Sequence, residues 1–290
     1  MTLTTLSEWL RCPICTGALS PIPPLVLGCD AGHRFDAKKH GYVNLLSSQP
    51  RIAGDTPDML DARSALLSGG AYDPVVRVVA DSVLSTGIPQ RLLDAGSGTG
   101  HYSSAILGRT QMTGRALATD IAPDAVHRSV RRLGRERADG LVADTWRPLP
   151  IRDGAADAII NVFAPRNVGE FRRVLAPDGC LVIVTPQQDH LLELRRALPM
   201  LDVPADKSLR ITEDFADDFV LEQSTPVRYT LAVSHETAMA LRSMGPSAHH
   251  GAVLSPAAMP PEVTVAVDVL RFRSRTHAAP VDVDSSTPRA

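Results

Sequence analysis

Two groups of residues in this chain have types and spacings that could do chemistry. The first is Cys12-Pro13-Ile14-Cys15, followed after thirteen residues by Cys29-Asp30-Ala31-Gly32-His33. Three thiolates and an imidazole at knuckle spacing make a closed tetrahedral zinc set: Cys12, Cys15, Cys29 and His33, with no position left for a reactive water. A redox C-x2-C would need neither Cys29 nor His33. Pro13, Gly17, Gly28 and Gly32 supply the bends. So short a segment cannot bury a core unaided, so the ion supplies much of its folding free energy. The second group is Asp94-Ala95-Gly96-Ser97-Gly98-Thr99-Gly100, set between the apolar run 91–93 and a helical pattern that starts at His101. It reads as a strand, a glycine turn and a helix start. Gly96, Gly98 and Gly100 let backbone approach a ligand where a Cβ would clash, and the helix start offers free N–H groups. The spacing is not the G-x-G-x-x-G of dinucleotide sites, and the Gly-Lys-Ser/Thr of a phosphate loop is absent.

An acid followed by G-x-G-x-G is similar to the first motif of class I S-adenosylmethionine-dependent methyltransferases, where the carboxylate holds the cationic or amino-acid end of the cofactor. The rest of the core extends that pattern. A second strand, 115–120, ends at Asp120, placed to hydrogen-bond ribose hydroxyls, with Ile121 beside it to cover one adenine face. A third, 140–144, ends at Asp144, placed to accept from the adenine amino group. Ligands of such sheets sit at the carboxyl ends of strands, so Asp94, Asp120 and Asp144 converge there. The fourth strand closes in Asn161-Val162-Phe163-Ala164-Pro165-Arg166-Asn167, the loop that faces the acceptor in this class. There Asn161 orients the acceptor, Phe163 stacks on a base and Arg166 grips a phosphate. Tyr72 stands just ahead of a helix, positioned to lie across the cofactor mouth, and His190 follows a buried strand at the pocket rim.

The elements that position these residues alternate. A helix over 57–67 stops at Ser68-Gly69-Gly70. Another starts at Asp73-Pro74, with Asp73 as cap and Val75, Val76, Val78, Val79, Val83 and Leu84 toward a sheet. Helices follow at 123–133, basic on its outer face, and 170–175. The turn 176–179 leads into the buried strand 180–186, where Cys180 is a core thiol. Residues 187–194 start a further helix. Residues 219–233 read as a strand broken near Pro226, 234–244 as a helix and 262–274 as a final strand. Residues 245–250 read as an ordinary turn or a substrate loop. The organisation is a zinc-binding RNA-recognition finger (1–46), a linker with helices (47–90), a methyltransferase domain (91–275) and a disordered tail (276–290).

The bulk numbers narrow the function. With 290 residues and 44% hydrophobic content, the chain can bury a substantial core. A net charge of −2 advertises no global nucleic-acid field, so any RNA contact is local. No apolar run reaches membrane length and the start lacks a basic signal region, so the expectation is a cytoplasmic protein with no membrane partner. The basic stretch 33–46 is the local RNA candidate. Arg34, Lys38, Lys39 and His40 suit phosphates, while Phe35 and Tyr42 are better read as packing rings.

Cys12 to His33, Gly41-Tyr42-Val43-Asn44-Leu45-Leu46, Ala62-Arg63, Tyr72 and Asn161-Val162-Phe163-Ala164-Pro165 together resemble the 23S ribosomal RNA guanine-N1 methyltransferases. Thr185-Pro186-Gln187-Gln188-Asp189-His190-Leu191 and Met244-Gly245-Pro246-Ser247 are most similar to the actinobacterial branch that confers tylosin resistance. The resemblance covers all but the last fifteen or so residues. It departs at Asp94-Ala95-Gly96, where relatives often carry Asp-Ile-Gly, a change that leaves the turn usable. It implies a class I Rossmann-like α/β sheet behind an N-terminal zinc finger. It also implies a homodimer that methylates N1 of one guanine in a 23S rRNA hairpin lining the peptide exit tunnel, where macrolides bind. The cofactor contacts implied fall on Tyr72, the turn through Gly100, His101, Tyr102 and His190. Guanine N1 carries a proton at neutral pH, and Asp144, Glu170 and His190 are the candidates to remove it. Two other readings stand beside this one: a small-molecule methyltransferase, which would not need the finger, and a non-catalytic RNA-binding module, which would not need the three acids.

Overall fold

The frame of the chain is one eleven-stranded sheet. The computed structural model describes residues 3–46, 54–109, 114–198, 200–243 and 259–275. In spatial order the strands are β1 (Ser20–Ile22), β2 (Val26–Gly28), β3 (Arg34–Lys38), β4 (Tyr42–Asn44), β7 (Ala138–Val142), β6 (Arg115–Asp120), β5 (Arg91–Ala95), β8 (Ala156–Val162), β9 (Leu175–Pro186), β11 (Glu262–Ser274) and β10 (Phe219–Ala232). From β4 to β9 every pairing is parallel, and β11 runs antiparallel to both β9 and β10. The helices are α1 (Leu3–Trp9), α2 (Pro57–Ser68), α3 (Asp73–Leu84), α4 (His101–Gly108), α5 (Pro123–Leu133), α6 (Val168–Val174), α7 (Leu192–Ala197), α8 (Lys207–Phe215) and α9 (His235–Ser243).

Neighbouring residues on each central strand serve opposite faces. Leu93, Ile159, Leu181 and Ile183 join one core cluster, and Leu92, Ile160, Val182 and Val184 join the other. That is why these strands read as apolar runs without alternation. The second face is covered by α3, whose Val75, Val79 and Val83 are buried at helical spacing. On α5 the same logic buries Ala125, Val126, Ser129, Val130 and Leu133, leaving Arg128 to pair with Asp124 at 3.0 Å.

The zinc-finger segment is not a separate appendage. Its last strand, β4, pairs in parallel with β7, setting Tyr42 against Gly140 and Val43 against Leu141. Cys12, Leu19, Leu27, Cys29, Ala37 and Val43 join the same core cluster as Leu93 and Leu117 of the central strands. A buried polar latch fastens α1 to that sheet: Asp139 on β7 accepts from Thr5 at 2.9 Å and pairs with Arg115 at 3.1 Å.

Several boundaries differ from the sequence reading. Tyr72, and not Asp73, is the cap residue of α3, and Asp73 supplies a carboxylate in the first turn. The third core strand ends at Val142, so Asp144 stands in the turn beyond it. β9 begins at Leu175 and absorbs the expected turn 176–179, while 187–191 is turn and α7 starts only at Leu192. The irregularity in β10 falls between Leu221 and Gln223. Pro226 pairs in register with Asp268, tolerated because β10 is an edge strand that leaves one row of donors unused. α1 and α8 had no counterpart in the sequence reading. Cys180 is buried with its thiol facing the Val83 carbonyl, a core position as expected. The loop at 245–250, the tail from 276 and the linker at 47–53 lie outside the described residues.

Candidate active site and metal centre

The knuckles fold into one cluster. The ligand atoms of Cys12, Cys15, Cys29 and His33 all lie within 4.8 Å of one another. Cys12 Sγ is 3.5 Å and Cys29 Sγ 3.3 Å from His33 Nδ1, and Cys15 Sγ is 3.6 Å from Cys29 Sγ. A tetrahedron with metal–sulfur bonds of about 2.3 Å has edges of roughly 3.8 Å, so the thiols stand where thiolate ligands of one ion would. The backbone N–H of Ile14 points at Cys12 Sγ at 3.4 Å, which suits a thiolate. Burial opposes ionisation of Cys29, but the backbone of His33 and the neighbouring thiol and imidazole groups bring its pKa down to about 6. The residues fit zinc, which His33 would bind through Nδ1, the ring nitrogen nearest the thiols.

Around the knuckles the basic candidates divide. Arg34 is exposed, but its Nη1 donates to the carbonyls of Cys29 and His33 at 3.0 Å each, so it braces the knuckle. Lys38, Lys39 and His40 are exposed at the β3–β4 turn. The His40 ring rests 4.6 Å from that of His127. Phe35 and Tyr42 are partly buried against the core, as packing rings should be.

The glycine turn forms one wall of a cavity of about 430 Å³, within the usual size of small-molecule sites. Tyr72, Asp94, Gly96, His101, Tyr102, Phe163, Arg166 and His190 line it. All three turn glycines have positive φ: 85° at Gly96, 53° at Gly98 and 68° at Gly100. Their need is conformational, and the close neighbour is protein. A Cβ on Gly96 would overlap that of Ala164, and one on Gly100 would come within 2.9 Å of Ser129 Cα. The glycines thus let the turn nest against the 161–165 loop and α5, where the sequence reading assigned the close approach to a ligand.

Asp94 is buried at the base of the cavity. Burial raises its carboxyl to about 7; the Ser103 hydroxyl, which donates to it, works against that, and the charge of Asp120 adds to it. Two cavity residues carry buried polar atoms with no protein partner, Thr99 Oγ1 and His101 Nδ1. Such atoms fit a polar ligand that would satisfy them. Together with the size of the cavity and the buried acid, they fit S-adenosylmethionine.

His190 accepts a hydrogen bond from the Ala266 N–H at its Nδ1 (3.2 Å), and its Nε2 is 3.5 Å from the Tyr72 hydroxyl. Burial above all pushes its pKa down to about 4, so the ring is neutral with its proton on Nε2. The Tyr72 hydroxyl is then the acceptor of that pair, and its own proton is free to be donated into the cavity. Phe163 has φ 53°, rare for a large side chain, and is 42% exposed. Its ring stacks on His190, with centroids 5.8 Å apart and planes at 26°.

Other candidates fall elsewhere. Asp120, Ile121 and Asp144 stand at the ends of β6 and β7 but do not line the cavity. Asp120 takes the N–H groups of Gly98 and Ala122, each at 3.0 Å. Arg63, paired with Asp55 at 2.8 Å, lies against Gly98, and Gly54 packs on Ile121 and Ala122. Arg63 of α2 and the segment before that helix therefore pack against the glycine turn and the end of β6, where Asp120 and Ile121 stand. Asn161 is fully buried and donates to the carbonyls of Ala95 (3.0 Å) and Pro165 (2.8 Å). It fixes the loop and does not line the cavity. Of the acid–base candidates, Asp144 is held by Trp146 N–H and Arg147, and Glu170 by Leu149 N–H and Arg173. Only His190 reaches the cavity, and its protonation leaves it no free lone pair. Arg63, Arg195 and Lys207 also line the cavity, and nothing in the sequence assigns them a role there. A lone basic residue on a helix carries no signal of its own.

Residues 10–51 match the family "RlmA, N-terminal", a zinc ribbon, and residues 92–179 the family "Methyltransferase domain". The 23S rRNA (guanine(748)-N(1))-methyltransferase of Streptomyces fradiae is 42% identical over 246 residues, covering 84% of this chain and 86% of its own. A Micromonospora griseorubida protein assigned to 23S rRNA guanine-N1 methyltransfer is 37% identical, covering 91% of this chain and 97% of its own. A Bacillus halodurans protein assigned as a methyltransferase shares the fold at TM-score 0.50 and 15% identity, covering 69% of this chain and 99% of its own.

Proposed function

We infer from the chain's family, the 23S rRNA (guanine-N1)-methyltransferases, to which it belongs, that it is an enzyme that methylates N1 of one guanine in a 23S rRNA hairpin. The observation that carries this reading is a single sheet that joins a Cys3His zinc ribbon to a cavity walled by the glycine turn. A small-molecule methyltransferase would have no use for the ribbon. S-adenosylmethionine supplies an electrophilic methyl group on a sulfonium leaving group. The residues of this chain have to hold that group and the acceptor nitrogen in line. Asp94 would hold the cationic end of the cofactor, Thr99 and His101 would offer it their unpartnered polar atoms, and Tyr72 would donate into the cavity. Asp120 and Ile121 serve the ribose and adenine, and Asp144 the adenine amino group, once the Asp55–Arg63 segment makes room. The ribbon, through Lys38 and Lys39 at its tip, holds the RNA backbone, and the target base leaves its stack to enter the cavity.

The finer reading is that the guanine corresponds to the 748 position named for the S. fradiae relative, that the hairpin lines the exit tunnel and that the methyl group confers macrolide resistance. A homodimer in the cytoplasm is the expected working form. No helix among the described residues is long and apolar enough to cross a membrane. Primer extension on rRNA from cells with and without the protein tests the assignment, because N1 methylation blocks base pairing. A stop at one guanine, dependent on the protein and lost in Asp94→Ala, is the expected result. Identical extension products would reject the assignment.

A further inference from the structure

Two cations in the cavity wall differ from the rest. Arg195 pairs with Asp202 at 3.0 Å and donates to the His190 and Gln188 carbonyls. Arg63 is paired with Asp55. Arg166, from the loop after β8, and Lys207, the first residue of α8, reach the same cavity from separate elements. Among the described residues, neither has a carboxylate within ion-pair distance. Desolvation lowers the pKa of Lys207, and the positive charge of Arg166 lowers it further, so the two cations feel each other. Arg166 is desolvated too, with only Asp214 acting the other way. Placing two like charges on one cavity, partly out of water and with no carboxylate in ion-pair contact, costs free energy that a bound anion would return.

The same cavity holds an aromatic platform. Phe163 is kept at positive φ by a loop that Asn161 ties at Ala95 and Pro165. A large L-residue in that conformation is strained, and such strain persists where the surroundings enforce it, commonly at functional sites. One ring face is braced by His190, and Tyr72 meets the ring edge-on, with centroids 6.1 Å apart and planes at 82°. The 42% of the residue that remains exposed is surface on which an unstacked base can lie.

We propose that the outer part of the cavity is a nucleotide subsite, in which Phe163 carries the purine of the target guanosine and Arg166 and Lys207 together clamp a phosphate of that nucleotide. The proposal rests on the RNA-methylation reading and adds a residue, Lys207, to the recognition of substrate. The clamp explains how a base pulled from its stack is kept in the cavity, since the phosphate is the one charged group every nucleotide brings.

The test uses the full-length, zinc-loaded protein and the variants Lys207→Gln, Lys207→Arg and Arg166→Gln. Methylation of a 23S rRNA hairpin transcript is followed at several salt concentrations, with guanosine 5′-monophosphate and guanosine compared as inhibitors. S-Adenosylhomocysteine binding by calorimetry reports on the fold. Lys207→Gln and Arg166→Gln are each expected to raise KM for the transcript about tenfold, the worth of one charge-assisted contact. The slope of log affinity against log salt should fall by about 0.7 in each. Cofactor-product binding should be unchanged. The monophosphate should inhibit wild type better than the nucleoside, an advantage that Lys207→Gln loses and Lys207→Arg keeps. Equal inhibition of wild type by the two compounds, or a Lys207→Gln variant with wild-type KM and salt slope, would overturn the clamp and leave the RNA reading standing. A wild-type protein that methylates no rRNA transcript would overturn the RNA reading and the clamp with it.

Discussion

Cofactor binding should depend on pH through one carboxyl group. Asp94 lies at the base of the cavity, and burial lifts its pKa from 3.8 to about 7, with the Ser103 hydroxyl opposing and the Asp120 charge adding to the lift. A cationic cofactor end selects the ionised form. With a pKa of about 7, the ionised fraction climbs from about one tenth at pH 6 to about nine tenths at pH 8. The apparent dissociation constant scales inversely with that fraction, so binding should tighten about tenfold, or about 1.4 kcal/mol. Burial moves the neighbouring imidazole and phenol groups away from that window. His190 titrates at about 4, burial pushes His101 down, and burial raises Tyr72 and Tyr102. Calorimetry of S-adenosylhomocysteine, which keeps the amino-acid end, in two buffers of different ionisation enthalpy measures affinity and protons together. Near pH 6 about one proton should leave per ligand bound. The free protein carries the reverse dependence. A carboxyl whose folded pKa is raised adds stability that is complete below 3.8 and gone once the pH passes about 7. Equal affinity at pH 6 and pH 8 would refute the reasoning, as would an Asp94→Asn variant that keeps both the affinity and its slope.

Other perturbations should act through packing and metal. Chelation of zinc, or Cys12→Ser with Cys15→Ser, should abolish methylation of rRNA and lower the Tm of the whole chain in a single transition, because β4 is hydrogen-bonded to β7. Two separate transitions by calorimetry would contradict that coupling. Gly96→Ala places a Cβ at φ 85° on top of Ala164 and should cost at least about 1–2 kcal/mol in denaturant unfolding, with weakened cofactor binding. Asp139→Ala leaves Arg115 beside a buried, emptied site and should destabilise by about 3 kcal/mol, although Asp139 touches neither cavity nor metal. An unchanged urea midpoint would show that the latch to α1 adds nothing.

Features set by local chemistry were legible in the sequence. Four zinc ligands at knuckle spacing, a glycine turn and a run of apolar strands each carry a pattern that tertiary structure cannot easily override. The cluster geometry and the strand order around β5 follow from them. What escaped reading depends on contacts distant in sequence. Nothing local announces that β4 will join β7, because the pairing needs Gly140 to admit Tyr42, whose Cβ would meet any side chain there. Arg34 reads as an RNA cation until its bonds to the Cys29 and His33 carbonyls are seen. Asn161 reads as a group that orients the acceptor, yet its amide hydrogens go to Ala95 and Pro165. In both cases residue type predicted an interaction with a ligand, and a backbone carbonyl got there first.

Those backbone contacts bear on mechanism. The glycine turn and the loop that carries Phe163 are joined at two points, by Asn161 bridging Ala95 and Pro165 and by Gly96 nesting on Ala164. A shift of one loop would break the contacts of the other, so the two walls of the cavity are cross-braced. The acid–base candidates, by contrast, are engaged by protein partners: Asp144 and Glu170 by backbone and arginine groups outside the cavity lining, and His190 by Ala266 and Tyr72. Transfer from a sulfonium needs its nucleophile held in line more than it needs a strong base, and effective molarity from fixed geometry is worth several kcal/mol. The chain supplies such geometry through a strained aromatic residue and a cross-braced loop on a rigid sheet, while the carboxylates of Asp144 and Glu170 stand outside the cavity lining.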